Sequence, residues 1–315
     1  MRGPELRLDV GGTGAEVTAA VSAAGTERSP IPRFARLLCD DAAMFPPGLA
    51  PLPEAVPAHV RHTSAPYGEL VGPLVVAASV LDELTPLLPV GGDPVELVVT
   101  LPEGPARVRD VLAGVADLPV RLRALEVAVP ESMAATELLT SLDGAAVGES
   151  VEVFVEVPRD ARRAGLITAL AATRYLAKFR TGGVRAELYP DVTELAEAVS
   201  AVVAAGVPFK ATAGLHHAIR NTDPDTGFEQ HGFLNLLLAT HVAAQGADAG
   251  ELAGVLADTD GEAVAERVRA LDDAEVEAAR TRFRSFGTCS ITDPLHDLIG
   301  LGLLPPSLTE NERTV

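Results

Sequence analysis

Short apolar runs alternate with alanine- and leucine-rich stretches along the chain from residue 34 onward. A short apolar run bounded by turn-forming residues is typical of a buried strand. The pattern predicts eight strands, at residues 35–40, 70–77, 95–101, 120–129, 151–157, 175–180, 207–212 and 287–291. The stretches between them predict helices, including those at 106–116, 131–142, 158–172 and 192–205.

This alternation predicts an α/β fold, and eight strands favour a closed (β/α)8 TIM barrel over an open sheet. Residues 232–286 are too many for one barrel helix, so we expect two or three extra helices between strands seven and eight. Residues 1–32 are rich in small side chains and predict an N-terminal accessory segment. The barrel domain would then cover residues 33–315.

Composition limits the kinds of molecule that this protein is expected to bind. A formal net charge of -19 makes nucleic acids and anionic membranes poor partners, although a local cluster of arginines could still bind a small anion. Two cysteines give no disulfide framework, and the sequence has neither a signal-type apolar start nor a run of about 18 apolar residues. We therefore predict a cytoplasmic protein with a small, anionic substrate as its partner.

Lysine is scarce in this chain. Only Lys178 and Lys210 are lysines among the 25 Lys and Arg residues, and each lies near the end of a predicted strand, followed by threonine and glycine. A lysine amine can lose its proton and act as a nucleophile or base, whereas arginine stays charged. The two lysines are therefore candidates for catalysis, the alternative being that they only form salt bridges.

Strand parity predicts which side chains face the barrel axis, because alternate residues point to opposite faces of a strand. In the strand at 151–157 the odd-numbered residues are all valine, so Glu152, Phe154 and Glu156 are expected to face inward. The same alternation groups Glu126 with Leu122, Ala124 and Ala128, Lys178 with Leu176 and Arg180, and Lys210 with Pro208 and Thr212.

Four consecutive strands therefore bring Glu126, Glu156, Lys178 and Lys210 into one interior. Active sites of barrels lie at the carboxyl ends of the strands, so we predict that these four residues are catalytic. The alternative is a buried set of ion pairs that neutralises itself without chemistry. Asp40, at the end of the first predicted strand, is a candidate for substrate binding at the same mouth.

The turns after strands six and seven are rich in glycine and predict an anion site. Their backbone N–H groups, with the Arg180 side chain, could hold a phosphate or carboxylate. The residues predicted to bind are Thr181, Gly182, Gly183, Thr212 and Gly214.

Three histidines follow these turns in the sequence. We expect His216 to act in acid–base catalysis and His217 and His231 to bind substrate. A metal would need His231 or a glutamate as well as the adjacent pair, and we predict neither a metal nor another cofactor. Cys39 and Cys289 are interpreted as core thiols.

Five sequence motifs together resemble a family of uncharacterised bacterial proteins, and they cover nearly the whole chain after residue 33. They are Asp-Asp-Ala-Ala-Met-Phe-Pro-Pro at 40–47, Ala-Lys-Phe-Arg-Thr-Gly-Gly at 177–183, Phe-Lys-Ala-Thr-Ala-Gly-Leu-His-His at 209–217, His-Gly-Phe-Leu-Asn at 231–235 and Phe-Gly-Thr-Cys-Ser at 286–290.

The chain also resembles, more distantly, class I aldolases of the deoxyribose-phosphate type. Those barrels carry a Schiff-base lysine on strand six and a second lysine on strand seven, positions that Lys178 and Lys210 match. Phe179 and Arg180 replace the small polar pair of that family, and His216 and His217 have no counterpart in it.

The resemblance implies a lyase that forms an imine through Lys178, with Glu156 or a histidine moving protons. Lys210 and Arg180 would lower the pKa of the Lys178 amine and the nearby glutamates would raise it, and the sequence leaves open which set is closer. Two alternatives stay open. One is a transferase or isomerase that binds a phosphorylated or carboxylate substrate without an imine. The other is a non-catalytic binding or assembly barrel, and the extra helices are compatible with a homo-oligomer.

Overall fold

The computed structural model describes residues 29–309. Most of the predicted accessory segment lies outside the described residues, so its boundary with the barrel domain stays a prediction. No helix within residues 29–309 is long and apolar enough to cross a membrane.

Eight parallel strands close into a barrel, which confirms the predicted (β/α)8 TIM architecture. Around the barrel the strand order is β1-β10-β7-β6-β5-β4-β3-β2, and a short hairpin of β8 and β9 lies outside it. The strands are β1 Cys39–Asp41, β2 Val71–Ala77, β3 Val95–Leu101, β4 Val120–Val127, β5 Glu152–Glu156, β6 Leu176–Arg180, β7 Phe209–Thr212, β8 Asn221–Thr222, β9 Glu229–Gln230 and β10 Phe283–Thr288.

Helices surround the barrel between these strands. They are α1 Leu52–Ser64, α2 Val108–Ala116, α3 Ala135–Gly144, α4 Arg163–Leu170, α5 Val192–Ala204, α6 Phe233–Ala244, α7 Ala249–Ala257, α8 Gly261–Ala270, α9 Asp273–Arg282 and α10 Thr292–Gly300. The predicted extra helices are present between the seventh and eighth barrel strands, where the chain forms four helices, α6 to α9.

Regularly spaced aspartates divide this long connection into short helices. Asp248, Asp260 and Asp272 each accept a backbone N–H with their side chains at the start of α7, α8 and α9, respectively. Such N-caps fix a helix start, and together with α6 they give four helices, one more than the two or three predicted. The first eight residues of α6 are all buried, and α7, α8 and α9 pack around it.

Two barrel strands, the first and the eighth, lie at other residues than the sequence pattern predicts. The first barrel strand begins at Cys39, because Arg33–Ala35 form a 3-10 turn. The eighth runs over Phe283–Thr288 instead of 287–291, because it contains polar inward-facing residues that hide its strand character. Of these, Arg284 pairs with Glu152 and Ser285 with Asp40.

The core has two layers separated by the barrel wall. Val153 and Val155 belong to the large cluster under the helices, whereas Phe154 lies in a small interior cluster with Val75, Val98, Ala124 and Leu176. The parity predicted for β5 is therefore confirmed.

Parity fails at one predicted position. Leu122 packs against the outer cluster and does not share the interior face with Ala124. The reason is a register shift in the pairing of β3 with β4, where Leu97 pairs with Leu122 but Val98 pairs with Ala124. Arg123 is therefore an extra residue at this bulge.

Candidate functional site

A chain of five charged side chains crosses the barrel interior, and we call it the charge chain. It runs in the order Asp40, Lys210, Glu126, Lys178 and Glu156. Lys210 Nζ lies 2.5 Å from Asp40 Oδ2 and 2.6 Å from Glu126 Oε1. Lys178 Nζ lies 2.8 Å from Glu126 Oε2 and 3.0 Å from Glu156 Oε2.

The strand register explains this convergence. Glu156 pairs in register with Lys178, and Lys178 with Lys210, so three neighbouring strands bring their charges to one level of the barrel. Barrel closure then places Asp40, from β1, beside β10 and within reach of Lys210. The charge chain therefore holds three carboxylates and two ammonium groups, with one carboxylate charge in excess.

Two small residues support the Asp40 end. Ser285 Oγ donates a hydrogen bond of 2.8 Å to Asp40 Oδ2. Gly72 on β2 lies against the same carboxylate, and a Cβ atom there would overlap Asp40 Oδ1. Glycine at this position therefore leaves the space that the buried carboxylate occupies.

Exposure of the side chains rises along the charge chain from Lys210 to Glu156. The Lys210 side chain is 1% exposed, that of Lys178 is 9% exposed and that of Glu156 is 28% exposed. Lys178 and Glu156 therefore form the end that a substrate can reach.

This end opens into a cavity of about 430 Å³ at the carboxyl ends of the strands. Its polar lining comes from Glu126, Glu156, Lys178, Arg180, Thr100, Thr212, His216 and Cys289. Its apolar lining includes Phe45, Val75, Leu101 and Val184. A cavity with an apolar wall and a few convergent charges suits a small polar metabolite.

The buried charges shift each other's pKa values. Burial opposes ionisation of Glu126, but attraction to Lys178 and Lys210 outweighs it and lowers the pKa of this carboxyl to about 2. Burial likewise favours neutral lysines, but the neighbouring carboxylates outweigh it and raise the pKa of both Lys178 and Lys210. Asp40 differs, because burial outweighs its pairing with Lys210 and raises its pKa.

The open question of the direction of the Lys178 pKa shift is therefore answered by the two glutamates. Their carboxylates lie within 3.0 Å of Lys178 Nζ and raise its pKa. In the resting protein Lys178 is an ammonium group, and it needs a proton acceptor before it can act as a nucleophile.

The two glycine-rich turns contact each other as well as the cavity. Thr181 Oγ1 donates a 2.6 Å hydrogen bond to the Ala213 carbonyl and so ties the turns together. The Tyr189 ring packs close to both Gly182 and Gly214.

Arg180, Gly183 and Thr212 line the cavity, and Arg180 Nε also donates to the Gly182 carbonyl at 3.1 Å. The anion-binding role of the two turns stays a prediction, with these three residues in the best position for it.

The three predicted histidines lie in different surroundings. His216 lines the cavity, and burial lowers its pKa. His217 pairs with Asp297 at 3.1 Å, and that hydrogen bond raises its pKa. His231 is buried with its Nε2 2.8 Å from the Pro190 carbonyl, and burial lowers its pKa to about 4. Of the three, only His216 is placed to meet a substrate in this cavity.

Cys289 is the site residue that sequence reasoning missed. It was interpreted as a core thiol, as Cys39 is, but it is half-buried and lines the cavity with its Sγ 3.4 Å from His216 Nδ1. Burial raises the pKa of its thiol, so the pair is a neutral thiol beside a neutral imidazole. The sequence feature that could have identified Cys289 as a site residue is the motif Phe-Gly-Thr-Cys-Ser at 286–290.

Within residues 29–309, no group of three or more His, Cys, Asp or Glu side chains is arranged to hold a metal ion.

No family model and no curated protein matches the sequence. A solved structure of Rhizobium etli pyruvate carboxylase with the allosteric activator acetyl coenzyme A aligns at 13% identity and a TM-score of 0.25. The alignment covers 89% of this chain but 28% of that one, and so low a score carries no argument about function. Fold and site therefore define a (β/α)8 barrel with a charged cavity at the end where barrel enzymes carry their active sites.

Proposed function

We propose that the protein is a barrel enzyme that forms an imine between Lys178 and the carbonyl group of a small metabolite. One observation carries the proposal: Lys178 Nζ lines the open cavity next to a carboxylate, Glu156, that lines it too. Lys210 is enclosed between Asp40 and Glu126 on the other side of the charge chain. Of the two amines, Lys178 is therefore the one positioned for a substrate.

Glu156 supplies the proton acceptor that the raised pKa of Lys178 demands. Its Oε2 lies 3.0 Å from Nζ, so it takes the ammonium proton when a substrate displaces water from the cavity. The free amine adds to the carbonyl carbon, and one of its protons moves to the carbonyl oxygen. The hydroxyl group then leaves as water with the proton held by Glu156, which gives a protonated imine.

A protonated imine attracts the electron pair of a neighbouring carbon–carbon bond, and this makes lyase chemistry accessible. That bond breaks as a hydroxyl group on the next carbon gives up its proton to a base. His216 is suited to this role, because its side chain lines the cavity and its lowered pKa keeps the imidazole neutral and able to accept a proton.

Lys210 acts in this proposal through Glu126. It binds one oxygen of Glu126 while Lys178 binds the other, so it holds that carboxylate ionised and oriented beside the reacting amine. Lys210 is thus a positioning residue. Arg180, at the cavity wall, is placed to bind an anionic group of the substrate.

A second candidate function is anion binding without an imine, as in a transferase or isomerase. It is favoured by the raised pKa of Lys178, since an ammonium group and the Arg180 guanidinium then face the same cavity. In this case Lys178 would bind a phosphate or carboxylate and would never lose its proton.

Borohydride trapping separates these functions. The protein is incubated with candidate aldehydes and ketones and then reduced, and the peptides are mapped by mass spectrometry. Because the chain has two lysines, a reduced adduct is assigned to Lys178 or Lys210 without ambiguity. We expect the adduct on Lys178, and none in the charge-preserving variant Lys178→Arg.

The matched control is Lys210→Arg, which keeps a cation beside Glu126 and should retain the adduct on Lys178. An adduct on Lys210 alone would reverse the two roles. Turnover of a substrate without any adduct would end the imine proposal in favour of anion binding, and absence of both would indicate a non-catalytic barrel.

A further inference from the structure

A second cavity, of about 250 Å³, lies at the amino ends of the barrel strands, opposite the proposed active site. We call it the amino-end cavity. Four arginines line it: Arg36, Arg123, Arg280 and Arg284. Its inner wall includes Asp40 and Lys210, the enclosed end of the charge chain.

Local structure accounts for this ring of arginines. Arg36 precedes β1, and Arg123 is the extra residue at the bulge of β4. Arg280 lies in the last turn of α9, and Arg284 is the second residue of β10. Arg36, Arg280 and Arg284 lie at or just before the amino ends of strands, and Arg123 lies within β4, so barrel closure brings the four around one opening.

The lining of the amino-end cavity contains five cations, the four arginines and Lys210, and three carboxylates, Asp40, Glu96 and Glu152. Two of the cations also pair with carboxylates outside the lining, Lys210 with Glu126 and Arg36 with Glu69. In a chain with a formal net charge of -19, four guanidinium groups around one opening still run against the overall charge balance. Such a site attracts anions that the rest of the surface repels.

The arginines differ in how fully they are paired. Arg284 Nη2 lies 2.5 Å from Glu152 Oε1, whereas Arg123 Nε lies 3.6 Å from Glu96 Oε2, and Glu96 is shared with Arg121 at 2.9 Å.

Arg280 donates to the backbone carbonyls of Phe283 and Arg36, both at 2.9 Å, and forms no ion pair within residues 29–309. Burial lowers its pKa to about 10, which still leaves it charged at neutral pH. Its charge and that of Arg123 are therefore available to a ligand, as are the N–H groups of Arg284 other than Nη2, the atom that pairs with Glu152.

We propose that the amino-end cavity binds a small phosphate-type oxyanion. Guanidinium groups match the oxygens of such an anion in pairs, and they hold it more tightly where water is partly excluded. The cavity volume suits inorganic phosphate or a small phosphorylated compound. This site is separate from the proposed active site and does not depend on imine chemistry there.

Isothermal titration calorimetry with inorganic phosphate tests the proposal. The amino-end cavity of the wild-type protein should bind one phosphate, and Arg123→Gln and Arg284→Gln should each weaken this binding by about tenfold or more, because each removes a charged hydrogen bond. Arg121→Gln is the matched control, since Arg121 pairs with the same Glu96 but does not line the cavity. It should leave affinity within about twofold of wild type.

Arg180→Gln distinguishes this site from the cavity at the other end. Loss of phosphate binding in Arg180→Gln, with Arg284→Gln unaffected, would place phosphate at the proposed active site and overturn the proposal. Absence of binding to the wild-type protein at millimolar phosphate would also overturn it.

A measurement on the wild-type protein covers the case in which a variant does not fold. Phenylglyoxal modifies accessible arginines, and phosphate should slow its reaction with Arg123 and Arg284 but not with Arg121, as mapped by mass spectrometry. Equal reaction at all three arginines with and without phosphate would contradict the proposal.

Discussion

The two ends of the barrel hold the two ends of one charge chain, yet they place their lysines in opposite situations. At the carboxyl end Lys178 lines an open cavity with an acid that a substrate can reach. Towards the amino end Lys210 is enclosed between two buried carboxylates. Burial and pairing therefore distinguish the two lysines: Lys178 is the proposed nucleophile, and Lys210 positions the Glu126 carboxylate.

The largest expected effect is on chemistry at the carboxyl end. Lys178→Arg keeps the positive charge between Glu126 and Glu156, so the fold should persist, but guanidinium does not attack a carbonyl at neutral pH. Activity and borohydride trapping should both be abolished, whereas Lys210→Arg should retain part of each. Equal activity of the two variants would remove the distinction between the two lysines.

The next effect is on stability at the enclosed end. Lys210→Met leaves Asp40 and Glu126 buried with one cation fewer, which should cost about 3–5 kcal/mol of unfolding free energy. Lys178→Met should cost less, because Glu126 keeps Lys210 and Glu156 reaches solvent. Urea denaturation of both variants measures the difference, and a larger loss for Lys178→Met would contradict the burial gradient.

Acid should lower the free energy of unfolding through protonation of Glu126. Its pKa falls from an ordinary value of about 4.5 to about 2 on folding, so the unfolded chain binds the proton more tightly. The stabilisation, on the order of 3 kcal/mol, is therefore present above about pH 4.5 and is lost as the pH falls through about 2.

Asp40 should act in the opposite direction, because its folded pKa is raised. Protonation of Asp40 favours the folded state, so its ionisation lowers stability as the pH rises through its folded pKa. Asp40→Asn should therefore make the loss of stability in acid steeper, whereas Glu126→Gln should flatten it, as measured by unfolding at several pH values. A flatter acid dependence in Asp40→Asn would show that Asp40 carries the acid sensitivity.

The smallest effect concerns the space around Asp40. Gly72→Ala adds a Cβ atom where the Asp40 carboxylate lies, and the forced shift should destabilise the protein by about 1–3 kcal/mol. Gly165→Ala is the control, because that glycine lies in α4 with no atom near its added Cβ and should gain roughly 0.5–1 kcal/mol. Similar melting temperatures for the two variants would show that Asp40 moves aside freely.

Local patterns predicted one part of the site well. The scarcity of lysine selected Lys178 and Lys210, and strand alternation placed Glu126 and Glu156 on their face, because alternation depends only on neighbouring residues. The same rule failed at Leu122, since a bulge shifts the register and no local pattern announced it.

The other contacts of the site join residues that are far apart in the chain and meet only when the barrel closes. No local sequence pattern predicted these contacts. Asp40 and Lys210 are 170 residues apart, and Ser285 reaches Asp40 only because β10 closes the barrel beside β1. Barrel closure likewise brings Cys289 beside His216 in one cavity. At the opposite end it brings the four arginines of the amino-end cavity together. The polar sequence of Phe283–Thr288 also hid the strand that carries Arg284 and Ser285.

The excess of one carboxylate in the charge chain has a consequence for how the interior titrates. Each oxygen of Glu126 binds a different lysine, so gain or loss of a proton at one side chain changes the balance at the other four. A proton that enters the barrel therefore belongs to the set of five, and titration yields macroscopic constants of the whole set. Uptake of one proton makes the set of five neutral, so its net charge depends on a proton that no single side chain owns.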